Sequence, residues 1–282
     1  MWNRFFCCAV TGALCCLLPL VARAQNSESA QTVPPGVVQV EGGVGFARAQ
    51  SERETSLGDA LVRVGLDPKT EVRIGVPSYI FLRGASRASG FGDAFIGVKR
   101  TLFGDQKAQL APVAGNDGET KEQAQNGRAR TKRAAASGAQ QTALAGPALG
   151  LIVGTTLPTG ADELSANRFE PQALLAFEAT ISERVSLASN LGYTSVAGQT
   201  RRFGQVFGSL AFGYSAGDKL GYFAEVFGTD RIAADGGTQA FLNVGAVYVV
   251  SDKFELDAGF APSLSDNARR NYQLGLGFTK RF

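Results

Sequence analysis

The chain has 282 residues, with 28 Lys and Arg against 25 Asp and Glu, 35 Gly, 4 Cys and no His. The absent His excludes a Ser-His-Asp triad, a Cys-His pair and any His-ligated metal or haem. The near-balanced charge speaks against nucleic-acid binding, and a mean hydropathy of −0.01 against a bundle of membrane-spanning helices.

The chain opens on a leader. Arg4 precedes an almost wholly apolar run from Phe5 to Val21, and Ala22-Arg23-Ala24 before Gln25 forms a small-x-small cleavage pattern. Residues 1–24 read as a secretory signal peptide. Cys7, Cys8, Cys15 and Cys16 all fall inside it, so the exported chain carries no thiol and no disulfide. Leu14 before Cys15 does not fit a lipoprotein signal. Residues 25–35 are polar and close on Pro34-Pro35; they read as a flexible lead, disordered or extended.

From Gly36 onward apolar residues recur at every second position, the period of a strand with one buried or lipid-facing side. The runs are Val38, Val40, Val44, Phe46; Val62, Val64, Leu66; Val72, Ile74, Val76; and Ile96, Val98, Leu102. Beyond residue 146 come Leu149, Leu151, Val153, Leu157; Ala173, Leu175, Phe177, Ile181; Val185, Leu187, Leu191, Tyr193; and Val206, Leu210, Phe212, Tyr214. The last four are Leu220, Tyr222, Ala224, Val226; Leu242, Val244, Tyr248, Val250; Phe254, Leu256, Phe260; and Tyr272, Leu274, Leu276, Phe278, Phe282. That makes twelve strands.

Their connections alternate. Tight turns stand at 67–69, 182–184, 216–219 and 251–253. Longer polar loops stand at 49–56, 78–90, 159–169, 197–202, 230–238 and 262–270. Pro158 lacks a ladder donor and should end its strand at the outer rim. The stretch 104–146 has no period and is rich in Ala, Gln, Gly, Lys and Arg. It reads as a disordered periplasmic insert that chain entropy tolerates; its Arg128–Arg133 run offers a basic tether as the alternative. Asp162, Asp230, Asp235 and Asp266 lie in loops, but no spacing matches a dedicated Ca²⁺ loop.

Short turns at one end and long loops at the other predict an all-β fold: a transmembrane, antiparallel, up-and-down β-barrel of twelve strands, both termini at the short-turn end. A soluble β-sandwich would also alternate. A signal peptide with no cysteine after it favours the membrane, as does a last strand closing on an aromatic residue. Phe278 and Phe282 are the expected assembly signal, with Lys280 a departure from its usual apolar pattern. Tyr214, Tyr222, Tyr248 and Phe254 fall near the short turns, where a lower aromatic girdle belongs. The polar phase gives the candidate pore lining: Glu41, Arg63, Glu71, Arg73, Lys99, Glu178, Asn190, Glu225, Asn243, Glu255, Asp257 and Gln273. The same phase is glycine-rich (Gly43, Gly65, Gly97, Gly150, Gly154, Gly245, Gly277), which favours an open passage over a packed plug.

Four segments carry a family resemblance: Gly90-Phe91-Gly92-Asp93 leading into Phe95–Arg100; Gly154 through Leu157-Pro158-Thr159-Gly160; Ser251–Gly259; and the closing Gly275–Phe282. In order and spacing they resemble the family "Putative MetA-pathway of phenol degradation", outer-membrane barrels of Gram-negative bacteria. The resemblance covers residues 36–282 and departs at 104–146, where members have a short connection. It implies an outer-membrane location and uptake of small hydrophobic or aromatic compounds, and it transfers no catalytic or ligand residue. The expectation is a passive channel rather than an enzyme, without cofactor or metal. Its expected partners are the lipid bilayer, the barrel-assembly machinery and a small solute the sequence does not name, with no nucleic acid. The alternative is a structural or adhesive barrel acting through its loops or the basic insert. A barrel enzyme working without His is the remoter one.

Overall fold

The computed structural model describes residues 26–49, 52–84, 87–104, 146–198, 201–265 and 271–282. The signal peptide and nearly all of the 104–146 insert lie outside the described residues. Fourteen strand segments follow in chain order: β1 (Val38–Ala49), β2 (Glu52–Asp67), β3 (Thr70–Val76), β4 (Tyr79–Arg83), β5 (Ala88–Phe91), β6 (Ala94–Phe103) and β7 (Ala148–Leu157), then β8 (Glu170–Thr180), β9 (Val185–Ala197), β10 (Arg202–Ser215), β11 (Leu220–Thr229), β12 (Gln239–Ser251), β13 (Phe254–Pro262) and β14 (Tyr272–Arg281).

Twelve of them close a ring. Each of β6 to β14 pairs antiparallel with its neighbours in the chain's order, β3 pairs with both β2 and β6, and β1 pairs with both β14 and β2. No strand of the ring is left with an unpaired edge, the condition a bilayer imposes on a sheet. The seam runs from Gln39 opposite Arg281 to Arg48 opposite Tyr272, so both ends of the barrel meet at the short-turn rim. Turns fall at Pro68-Lys69, Ser182–Arg184, Ala216–Lys219 and Asp252-Lys253, where tight-turn composition places them. β7 stops at Leu157, directly before Pro158.

Two loops expected from the sequence are strand instead. β2 starts at Glu52, inside 49–56, and β4 and β5 occupy most of 78–90. Arg53–Leu57 pair with β1 on one side and with β4 on the other. Glu52–Ser56 hold no apolar residue and Tyr79–Leu82 are apolar without a break, so an apolar period cannot report this ladder. Gly58, at φ +76°, is the extra residue where the β1–β2 register shifts, since Gly43 faces Asp59 and Val44 faces Leu57. A bulge there lets β2 change direction between its two partners.

The apolar phase faces outward on every wall. Val44, Ile74, Val98, Val153, Leu191, Phe212, Tyr248 and Leu276 are all exposed. A sandwich would bury such a set; a closed ring that exposes it on all sides is built for hydrocarbon. The chain is therefore a membrane-spanning barrel of the outer-membrane type. Val153, mid-strand in β7 and 52% exposed, is the cleanest probe. Val153→Arg is expected to cost about 2–4 kcal/mol, read from urea unfolding of the barrel folded in lipid. An unchanged midpoint would mean that this face does not meet lipid.

Tyr214, Tyr222 and Tyr248 are exposed beside the short turns. At the opposite rim Phe46, Tyr272 and Phe260 form a string with ring centroids 6.2 and 6.1 Å apart. Lys280 carries its ammonium 5.7 Å over the Phe254 ring, which gives a cation in an aromatic belt a favourable seat.

Candidate functional site

Inside the ring lies the lead. Residues 26–33 run without helix or strand, bending once at Ala30-Gln31, and Ser27, Ala30, Gln31, Thr32 and Val33 are buried. This corrects the flexible segment expected for 25–35: it is held. An extended chain turns its N–H groups to alternate sides, and buried N–H groups need acceptors. The barrel wall supplies them in the same rhythm. The N–H groups of Asn26, Glu28 and Ala30 donate to Glu225 of β11 (2.8 Å), Asn190 of β9 (2.6 Å) and Glu178 of β8 (3.1 Å). Ser27 and Ser29 donate their hydroxyls to Glu225 and Glu178, each at 2.7 Å. Farther along, Val33 N–H donates to Glu71 of β3 at 2.7 Å, while Ala30 C=O accepts from Thr101 of β6 at 3.1 Å. Eight extended residues reach about 25 Å. The lead thus crosses the lumen from the β11 wall to the β2–β3 wall, then turns at Pro34-Pro35-Gly36 into β1.

The glycines of the polar phase explain how it fits. A Cβ on Gly65 would lie 2.1 Å from the Pro34 carbonyl oxygen, and one on Gly150 would lie 2.4 Å from that of Ala30. Gly97 and Gly154 lie under the Phe95 ring, and Gly245 under Phe223. The space predicted for a passage is filled by the lead's backbone and by inward aromatics. Small wall residues are equally what close packing against a backbone requires, so their count alone does not separate passage from plug.

Where the lead meets β2, β3 and β6 stands a buried ion cluster. Arg63 contacts Glu71 through Nε and Nη2, both at 2.8 Å, and Glu41 through Nη1 at 3.0 Å. Arg73 reaches Glu71 at 3.1 Å and Glu28 of the lead at 2.6 Å. Lys99 stands 3.8 Å from Glu71. Gln39 donates to Glu41, and its own oxygen accepts from Arg281 at 2.8 Å. Such a cluster is stable only while each charge keeps its partners.

The other candidates divide. Asn243 donates to Glu225 at 3.0 Å, joining the patch that holds Asn26 and Ser27. Glu255 lies 3.7 Å from Arg281, and the Asp257 carboxylate rests over Gly277. Glu255, Asp257 and Gln273 are half-buried on the β13–β14 wall. Phe278 and Phe282 are exposed at the end of β14, and the Phe282 N–H closes onto the Val38 carbonyl at 2.9 Å.

Toward the long-loop end the interior turns apolar. Phe207, Phe227, Phe241 and Ala261 form a buried cluster with Leu174 against it. Phe227 and Phe241 stack at 5.1 Å. These residues stand two positions outward of Ser209, Glu225 and Asn243 along β10, β11 and β12. A strand-by-strand reading of the apolar phase passes over them because they sit in the polar phase; an aromatic residue off-phase was the available signal.

A profile of the family described as "Putative MetA-pathway of phenol degradation" matches residues 22–282. The chain belongs to this family. Among solved structures it is similar to an outer membrane channel from Pseudomonas putida F1, at 16% identity and a TM-score of 0.59, covering 92% of this chain and all of that one. It is also similar to the NanC porin, at 8% identity and a TM-score of 0.51, covering 86% and 98% of the two chains. At these identities the likeness is one of fold. Among curated proteins, none matches the chain by sequence.

Proposed function

We propose that this family member is a passive outer-membrane channel for small solutes with an apolar or aromatic body, and that the lead gates it. The observation that carries the reading is the layering of the interior: an apolar patch of Phe207, Phe227 and Phe241 above a charged level occupied by residues 26–33. Solute entering from outside passes the buried polar side chains of Gln205, Thr229 and Gln239 and then meets this apolar patch. Glu41, Arg63, Glu71, Arg73, Lys99, Glu178, Asn190, Glu225 and Asn243 line the lead-occupied level. Glu255, Asp257 and Gln273 line the side left beside it. The solved Pseudomonas putida structure is that of an outer membrane channel, which supports the same class. With no His in the chain, the polar groups of the lumen serve as walls and latches rather than as a catalyst. Phe278 and Phe282 present the final strand to the assembly machinery.

An intact lipopolysaccharide leaflet blocks apolar solutes, so whole cells are the proper test. A deletion strain is expected to take up labelled small aromatics more slowly, with uptake restored by the gene on a plasmid. Equal uptake with and without the protein, together with no conductance in planar bilayers, would overturn the channel reading.

A further inference from the structure

We infer that the charged level is a recognition site for the carboxylate of a small organic monoacid, and that Glu28 of the lead occupies it as a tethered stand-in. The inference rests on the channel reading above and names its solute class.

The wall itself brings three cations, Arg63, Arg73 and Lys99, and two carboxylates, Glu41 and Glu71, into one contact network. It is short of balance by one negative charge. Glu28 supplies that charge from outside the wall, through a 2.6 Å contact to Arg73 Nη2. The three carboxylates are not equivalent. Side chains of Glu41 and Glu71 are fully buried, whereas that of Glu28 is 21% exposed. Glu28 is the member that a solute can replace.

The site keeps donors in reserve. Among the described residues, Lys99 Nζ is buried with no hydrogen-bond acceptor, and so is Arg73 Nε. Buried cationic donors are rarely left without acceptors, and a planar carboxylate suits a guanidinium fork. Across the lumen Glu178 and Glu225 carry like charge and accept from the lead. They repel a second anionic group, which restricts the solute to one carboxylate. On the ion cluster's own wall the buried Phe95 ring stands outward of Lys99 on β6, over Gly97 and Gly154, where the body of a bound monoacid would lie.

A tethered competitor lowers apparent affinity by occupying the site. The test therefore compares benzoate with its neutral isostere benzamide, by calorimetric titration of the barrel in lipid nanodiscs. The wild-type protein should bind benzoate and not benzamide. Glu28→Gln should tighten benzoate binding by about tenfold or more without improving benzamide. Arg73→Gln should abolish the preference for benzoate, with folding checked by heat-modifiable migration. If Arg73→Gln does not fold, the Glu28→Gln arm decides alone, since it alters only the lead. Equal binding of acid and amide, or no gain in Glu28→Gln, overturns the inference. Protein-dependent uptake of neutral aromatics in that case would leave the channel reading standing; absence of all uptake would remove both.

Discussion

Deleting residues 26–33 is expected to raise single-channel conductance several-fold while leaving the barrel folded. The lead's hold on the lumen combines hydrogen bonds to the Glu225, Asn190, Glu178 and Glu71 side chains, the Glu28–Arg73 ion pair, bonds from Arg63 and Thr101 to its carbonyls, and backbone passage over Gly65 and Gly150. None of these belongs to the ring's own ladder, which closes through β1 pairing with β14 and β2. Removing the lead uncovers carboxylates that would be costly if they stayed dry. Water enters the emptied lumen at once and solvates them, so the penalty is small. The measurement is planar-bilayer conductance beside heat-modifiable migration. An unchanged conductance would show that current already passes along the β13–β14 wall, where Glu255, Asp257 and Gln273 are half-buried. Loss of the folded band would show instead that the lead is part of the core.

The second large effect is on stability. Arg63→Met should destabilise the barrel by about 3–5 kcal/mol, the range for stripping the partner from a buried charge. Arg63 is the hub: it holds Glu41 and both oxygens of Glu71, and it donates to the Gln31 carbonyl of the lead at 3.2 Å. With Met in its place, Glu41 keeps its contact with Gln39, and Glu71 keeps those with Arg73, Lys99 and Val33 N–H. Adding Glu71→Gln to Arg63→Met should recover part of the loss, because the second change removes a charge that the first left short. Urea-unfolding midpoints of the single and double variants measure both terms. A cost below about 1 kcal/mol, the value of a solvated pair, would mean that the cluster is wet rather than sealed.

Much of the barrel was legible because lipid enforces a period. Val38 to Phe46, Leu149 to Leu157 and Tyr272 to Phe282 alternate so regularly that strand count, phase and rim follow from them. The extensions β4 and β5 were not legible, since Arg53–Ser56 carry no apolar period and their β4 partners Ile80, Phe81 and Leu82 are apolar without alternation. The charged residues of the interior were visible as polar-phase outliers, yet their partner was not. Asn26, Ser27, Glu28, Ser29 and Ala30 look like disordered composition, and only the matching of their donors to Glu178, Asn190 and Glu225 makes them structural. That matching joins positions up to 199 residues apart, a separation no local pattern encodes. The inward ring of Phe207, Phe227 and Phe241 was hidden for the opposite reason: apolar residues in the polar phase look like noise until the lumen is known to be layered.

The two glycines beneath the lead carry a genetic consequence. Gly65 and Gly150 hold it by offering no side chain, so their contribution is an absence. Most substitutions in a packed interior remove something and weaken function. At these two positions any larger residue adds an obstacle to the lead and leaves every polar latch in place. Variants selected for leakiness to antibiotics or dyes should therefore collect at Gly65 and Gly150. They would be dominant gains of permeability.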